Sequence, residues 1–170
     1  MIINMRKIAL TTLLIFQYGI VFGQLESDSS KSYNNTQAKH AIFFEILGSG
    51  GLYSINYERV IGENRTLRGG ISYVNGDGFI FGHMLTIPLS TSYLFPTDKD
   101  SHIELGVGNT FILNEGTFSN AIGPIFGVRE QDLFNGGAYA RISFTPVLLI
   151  GKEVEMAPVW AGISFGKSFK

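Results

Sequence analysis

The chain has 170 residues, a formal net charge of -1, no cysteine and only 16% charged residues. This balance argues against a nucleic-acid-binding surface, and the lack of cysteine excludes disulfides, a lipid-modified N-terminal cysteine and thiol chemistry. Soluble domains carry roughly 25% charged residues; the shortfall here, with 21 glycines, 13% aromatics and a mean hydropathy of +0.18, implies apolar surface that faces something other than water.

The first segment, "MIINMRKIALTTLLIFQYGIVFGQ", places Arg6 and Lys7 before an apolar run from Ile8 to about Ile20, with Val21 and Gly23 as the small residues before Gln24. That order of charge, apolar stretch and cleavage site predicts a secretory signal peptide over 1–23, with Met1 or Met5 as its start. The run is interrupted by Gln17 and falls short of the roughly 20 apolar residues of a membrane helix, as does every other stretch of the chain. Residues 24–39, "QLESDSSKSYNNTQAK", are polar and Ser/Asn-rich and read as a flexible leader.

From His40 to the C-terminus the apolar residues recur with a period of two, the signature of strands. Eight strands are expected, at His40–Gly48, Gly51–Ile61, Arg65–Asn75, Met84–Phe95, Ser101–Leu113, Ala121–Gln131, Gly137–Leu148 and Ala157–Phe169. Their connectors are short clusters of Gly, Asn, Asp and Pro, so neighbours should run antiparallel as an up-and-down meander. Strands of about 9 to 13 residues exceed the usual length and suit a tilted bilayer span.

One face of each strand is apolar. It carries Phe44, Tyr57, Ile71, Leu89, Leu105, Phe126, Phe144, Phe165 and Phe169, while the alternate face is mostly Gly, Ser and Thr. The last strand is typical: Val159, Ala161, Ile163 and Phe165 alternate with Trp160, Gly162, Ser164 and Gly166. A soluble barrel turns its apolar face inward and shows Lys and Glu to water, whereas a membrane barrel does the reverse. Mid-strand the polar face holds Glu45, Glu58, Arg68, Glu104, Arg129 and Arg141, three acids and three bases without a lysine. Such a set is expected inside an eight-stranded barrel, whose interior is only wide enough for side chains and where each charge needs a partner. A three-residue turn at "GEN" would put Glu58 opposite Arg68, and an eight-residue loop over Leu113–Asn120 would put Glu104 about opposite Arg129.

The signal ending in Gly-Gln, "FFEILGSGGLYSINYERVI" and the terminal "AGISFGKSF" resemble the small outer-membrane β-barrel proteins of Bacteroidota and, more broadly, eight-stranded barrels of the OmpA and OmpX type. The resemblance spans the mature chain. It implies an all-β, eight-stranded transmembrane barrel over 40–170, periplasmic termini, contact with outer-membrane lipid, and delivery by the barrel-assembly machinery through a terminal aromatic, here Phe169 followed by Lys170. It implies no cofactor, metal or catalytic residue. In that orientation the outer loops are Gly48–Gly51, Gly76–His83, Asn114–Asn120 and Leu149–Met156, all short, with Phe79, Ile80 and Phe81 expected to pack over the mouth or, as the alternative, to touch lipid.

Two alternatives are a lipid-acting enzyme at the rim and a secreted soluble barrel around an apolar ligand. The outward grouping for catalysis is His83 near Asp77 with Ser119 and Glu115, a spacing of low specificity, while His40 and His102 lie at the other end. Pro88, Pro124, Pro146 and Pro158 fall within expected strands and lack the N–H that a ladder needs, so bulges are expected there.

Overall fold

In the computed structural model the described residues are 38–75, 83–114, 116–133, 135–150 and 154–170, with side chains from 160 onward in the last segment. The expected signal peptide, the leader up to residue 37 and the loop containing Asp77, Phe79, Ile80 and Phe81 lie outside them, as does Glu115.

Eight strands follow one another in chain order: β1 (His40–Leu47), β2 (Tyr53–Ile61), β3 (Arg65–Val74), β4 (Met84–Pro96), β5 (Ser101–Asn114), β6 (Thr117–Gln131), β7 (Gly137–Ile150) and β8 (Val154–Phe169). Each pairs antiparallel with the next, and β8 closes on β1 to make a barrel without a free edge. The expected meander is therefore the observed one. Two hairpins are tighter than the sequence reading had them. Asn114 faces Thr117, and β7 and β8 extend to Ile150 and Val154, so the expected loops at 114–120 and 149–156 are largely strand.

The alternation sorts side chains by wall. Ile55, Tyr57, Ile71, Leu105, Phe126, Phe144, Phe165 and Phe169 are exposed on the outside, and Phe44 and Leu89 are half-buried there. The inward positions form layers. At the end carrying the termini, Val60, Leu94 and Leu133 make an apolar floor, and Ala38 is tied to it by its N–H donating to the Leu133 carbonyl at 2.5 Å. Above the floor Phe43 stacks on Tyr139, with ring centroids 4.6 Å apart. The charged side chains follow, and at the far end Val74, Met84, Ile112, Ala121 and Val147 form an apolar ceiling, with Trp160 packed against it.

The "GSGG" connector does not project as a loop. Gly48–Gly50 form one turn of 3₁₀ helix buried in the barrel; the Gly50 carbonyl accepts from Thr86 Oγ1 and the Ser49 carbonyl from Thr110 Oγ1, each at 2.7 Å. The inward fold needs Leu47 at a φ of 58° and Gly48 at 82°, a region that costs a β- or γ-branched side chain some strain. It also needs space: a Cβ on Gly162 would lie 2.9 Å from the Gly48 Cα.

Pro88, Pro124, Pro146 and Pro158 sit where one of the two flanking ladders is interrupted, whereas Pro96 ends β4 opposite His102. Pro88 lies between the Gly69↔Leu89 and Ser72↔Thr86 pairs, and Pro124 faces Pro146 across a gap between Ile122↔Leu148 and Phe126↔Phe144. The β7–β8 register shifts between Thr145 and Val147, with Pro158 in the same interval. The donorless residues are thus gathered at gaps in one ladder, with Pro88 and Pro124 keeping register partners Thr110 and Val107 on the other side.

Gly162→Val should destabilise the folded barrel by about 1 to 3 kcal/mol through overpacking against the buried turn, whereas Ala161→Val, one residue away on the exposed wall, should be near neutral. Urea midpoints of the two refolded variants measure the difference.

Candidate functional site

The site is the charged layer. Glu45 on β1, Glu58 on β2, Arg68 on β3, Glu104 on β5, Arg129 on β6 and Arg141 on β7 all point inward and are no more than 3% exposed. Strand parity puts them there: each is one residue from an outward apolar neighbour.

Pairing does not follow strand adjacency. Glu58 does stand opposite Arg68 in the β2–β3 register, as the three-residue turn requires, yet its ion pair is with Arg129 Nη1 on the far wall. Arg68 reaches instead to Glu45, Nη2 donating to Oε2 at 2.5 Å. Glu104 stands opposite Gly127, and Arg129 opposite His102, which corrects the expected Glu104–Arg129 register; the tight hairpin at Asn114 and Thr117 moves the pairing by two residues. The partner of Glu104 is Arg141, whose Nε and Nη2 grip its two oxygens at 2.7 and 3.1 Å. Arg141 Nη1 also donates to Glu45 Oε1 at 3.2 Å. The long guanidinium side chains reach past the adjacent strand, Arg129 to the far wall and Arg68 and Arg141 to strands two away in the ring.

The result is a chain Arg68–Glu45–Arg141–Glu104 beside the pair Arg129–Glu58. Neutral groups fill some of the remaining valences, while Arg68 Nη1 and Arg129 Nε and Nη2 are buried without a hydrogen-bond partner among the described residues. Ser92 Oγ donates to Glu104 at 2.7 Å, Arg68 Nε donates to Asn56 Oδ1 at 3.0 Å and its Nη2 to Ser49 Oγ at 3.2 Å, and Ser54 and Ser164 hydroxyls lie 3.4 Å from Glu45. Two guanidiniums bracket the aromatic stack: Arg68 Cζ lies 5.0 Å from the Phe43 ring and Arg129 Cζ 5.6 Å from the Tyr139 ring. The sequence reading missed this stack. Phe43 and Tyr139 are large residues on the otherwise small polar face, and that misfit was the available signal.

Chemically the layer is balanced, three carboxylates against three guanidiniums. His83 precedes β4 and Ser119 lies within β6, at the far end of the barrel, while the proposed partners Asp77 and Glu115 fall outside the described residues. His40 is on the outer wall at the terminus end, its Nδ1 2.6 Å from the Tyr57 hydroxyl, and His102 is inside. Among the described residues no group of three or more His, Asp or Glu is placed to hold a metal ion.

Comparison with known proteins finds no matching family model, no matching curated protein and no matching solved structure.

Because buried charges lose most when one partner is removed, Arg129→Met alone should cost about 3 to 5 kcal/mol, and adding Glu58→Leu should recover part of it. The coupling of Glu58 to Arg129 should exceed its coupling to Arg68, the register neighbour. Double-mutant cycles read by urea unfolding of the refolded protein check both statements.

Proposed function

We propose that the protein is an integral outer-membrane β-barrel with a structural or interaction role, whose lumen is filled by side chains and does not conduct as a wide pore. The observation that carries this reading is the inversion of polarity across the wall. Every strand presents apolar side chains outward, among them Ile42, Ile55, Ile71, Ile87, Leu105, Phe126, Ile142 and Ile163, while the interior holds the six charges. In water that outer surface would far exceed the few hundred Å² of contiguous apolar patch that a soluble monomer tolerates; in hydrocarbon it needs no cover.

Further support comes from aromatics at the two ends of the outer wall. Tyr93, Phe95 and Phe169 lie towards the terminus end and Tyr53, Tyr73, Phe111 and Phe118 towards the other, the positions of interfacial girdles, while Tyr57, Phe126 and Phe144 lie mid-wall. The resemblance to small Bacteroidota barrels and to OmpA and OmpX points the same way, and with it export by a cleaved signal and assembly by the barrel machinery. A soluble carrier of an apolar ligand fits poorly, since the ion-pair layer occupies the space such a ligand would need. In this reading the protein works without catalysis or cofactor.

Cell fractionation tests the location: the protein should stay with the outer membrane through carbonate washing and run faster on gels unheated than boiled. Recovery of the whole population in the soluble fraction would contradict it. Phe144→Arg should reduce insertion by about 2 to 4 kcal/mol if residue 144 lies near the midplane, whereas Ser143→Ala should be mild. Planar bilayers containing the wild type should give no large steady conductance.

A further inference from the structure

The terminus end of the lumen holds polar groups that the ion pairs leave unused. His102 on β5 stands directly opposite Arg129 on β6, and one step nearer the rim the Gln131 N–H donates to the Asp100 carbonyl at 2.7 Å. Directly opposite residues hold their Cβ atoms about 5 Å apart, and diagonal ones about 7 Å, so these side chains are close cross-strand neighbours. His102, Arg129 and Gln131 are no more than 5% exposed. His102 Nδ1, Arg129 Nε and Nη2 and both amide atoms of Gln131 are buried without a hydrogen-bond partner among the described residues, as is Asp100 Oδ1. Each such atom carries the full desolvation cost of its group unless something bonds to it.

The chemistry of the set selects the ligand. Arg129 offers only N–H donors, the Asp100 carboxylate only accepts, Gln131 does both, and a neutral imidazole has one nitrogen of each kind. An anion here would meet the Asp100 carboxylate, and the charge of Arg129 that might hold it is already taken by Glu58. A cation would meet the guanidinium. A neutral molecule that both donates and accepts satisfies all four residues, and water is the one small enough to sit between cross-strand neighbours; buried waters commonly make about three hydrogen bonds to polar groups of this kind.

We propose that ordered water bridges Arg129 to His102, Gln131 and Asp100 at the terminus end of the lumen. The water completes Arg129, whose Nη1 alone serves Glu58 and Tyr139. It also carries the polar network of the charged layer along β5 and β6 to Asp100, at the rim, so that the layer is connected to that end of the barrel on one side. The inference goes beyond the proposed function: it concerns the interior and holds whether or not the outer wall faces lipid.

The test is a crystal structure of the refolded full-length chain, grown with bromide in place of chloride and at a resolution that shows ordered water. One or more water peaks should lie within about 3.2 Å of Arg129 Nε or Nη2 and within the same distance of a polar atom of His102, Gln131 or Asp100, with no anomalous signal at the bromine edge. Gln131→Leu, which keeps the bulk and removes both amide atoms, should lose the peak nearest residue 131 while its unheated gel mobility matches the wild type. An anomalous signal at this place would make the ligand an anion and overturn the proposal. So would direct hydrogen bonds among the four side chains with no peak between them, or a peak unchanged in Gln131→Leu. If that variant does not fold, the wild-type density alone decides between these results.

Discussion

The rest of the structure depends on the requirement that three carboxylates and three guanidiniums neutralise one another within a closed ring of strands. Removed from water, each of these charges costs several kcal/mol unless it is paired and its remaining valences are hydrogen-bonded. Arg141 meets that demand most fully, holding both oxygens of Glu104 with one edge of its fork and reaching Glu45 with the remaining nitrogen. The pairs join β1 with β3 and β7 and β5 with β7, each two strands apart in the ring, and β2 with β6 on the opposite wall, so they add links that the ladder bonds between neighbours do not make.

This demand accounts for the small residues. Glu45 needs room for Arg68 and Arg141 and for the hydroxyls around it, and the buried turn at Gly48–Gly50 delivers Ser49 to the same cluster. Gly162 and Gly70 are the openings through which neighbouring groups approach. Apolar clusters lie beyond the charged layer at both ends, and low-polarity surroundings of that kind strengthen the pairs between them. With its polarity spent inside, the barrel is left with an outer wall fitted to hydrocarbon, which is the physical basis of the proposed function.

Much of this was legible in the sequence because a period of two is unambiguous when one face is Ile, Leu and Phe and the other is Gly, Ser and Thr. The strand order, the inward placement of all six charges and the outward placement of Phe44, Tyr57, Ile71 and their counterparts follow from that alternation alone. Pairing within the layer was not legible. Side-chain reach across a lumen has no signature in one strand, and the register of Glu104 depended on a hairpin whose length was misjudged by taking Thr117–Asn120 as loop. The inward turn at Gly48–Gly50 was hidden for a similar reason: "GSGG" marks a break in the chain and says nothing about the direction in which the break folds. The prolines suggested bulges, but their meeting at shared ladder gaps, Pro124 facing Pro146, required the register.

The central claim is that the apolar wall faces lipid and the charged wall faces the lumen. The native chain has no cysteine, so single cysteines at 142, 143 and 144 can each carry one fluorophore without interference. Quenching by nitroxides attached to the acyl chains should be strong at 142, weak at 143 and strong again at 144. Uniform quenching, or a maximum at 143, would contradict the account.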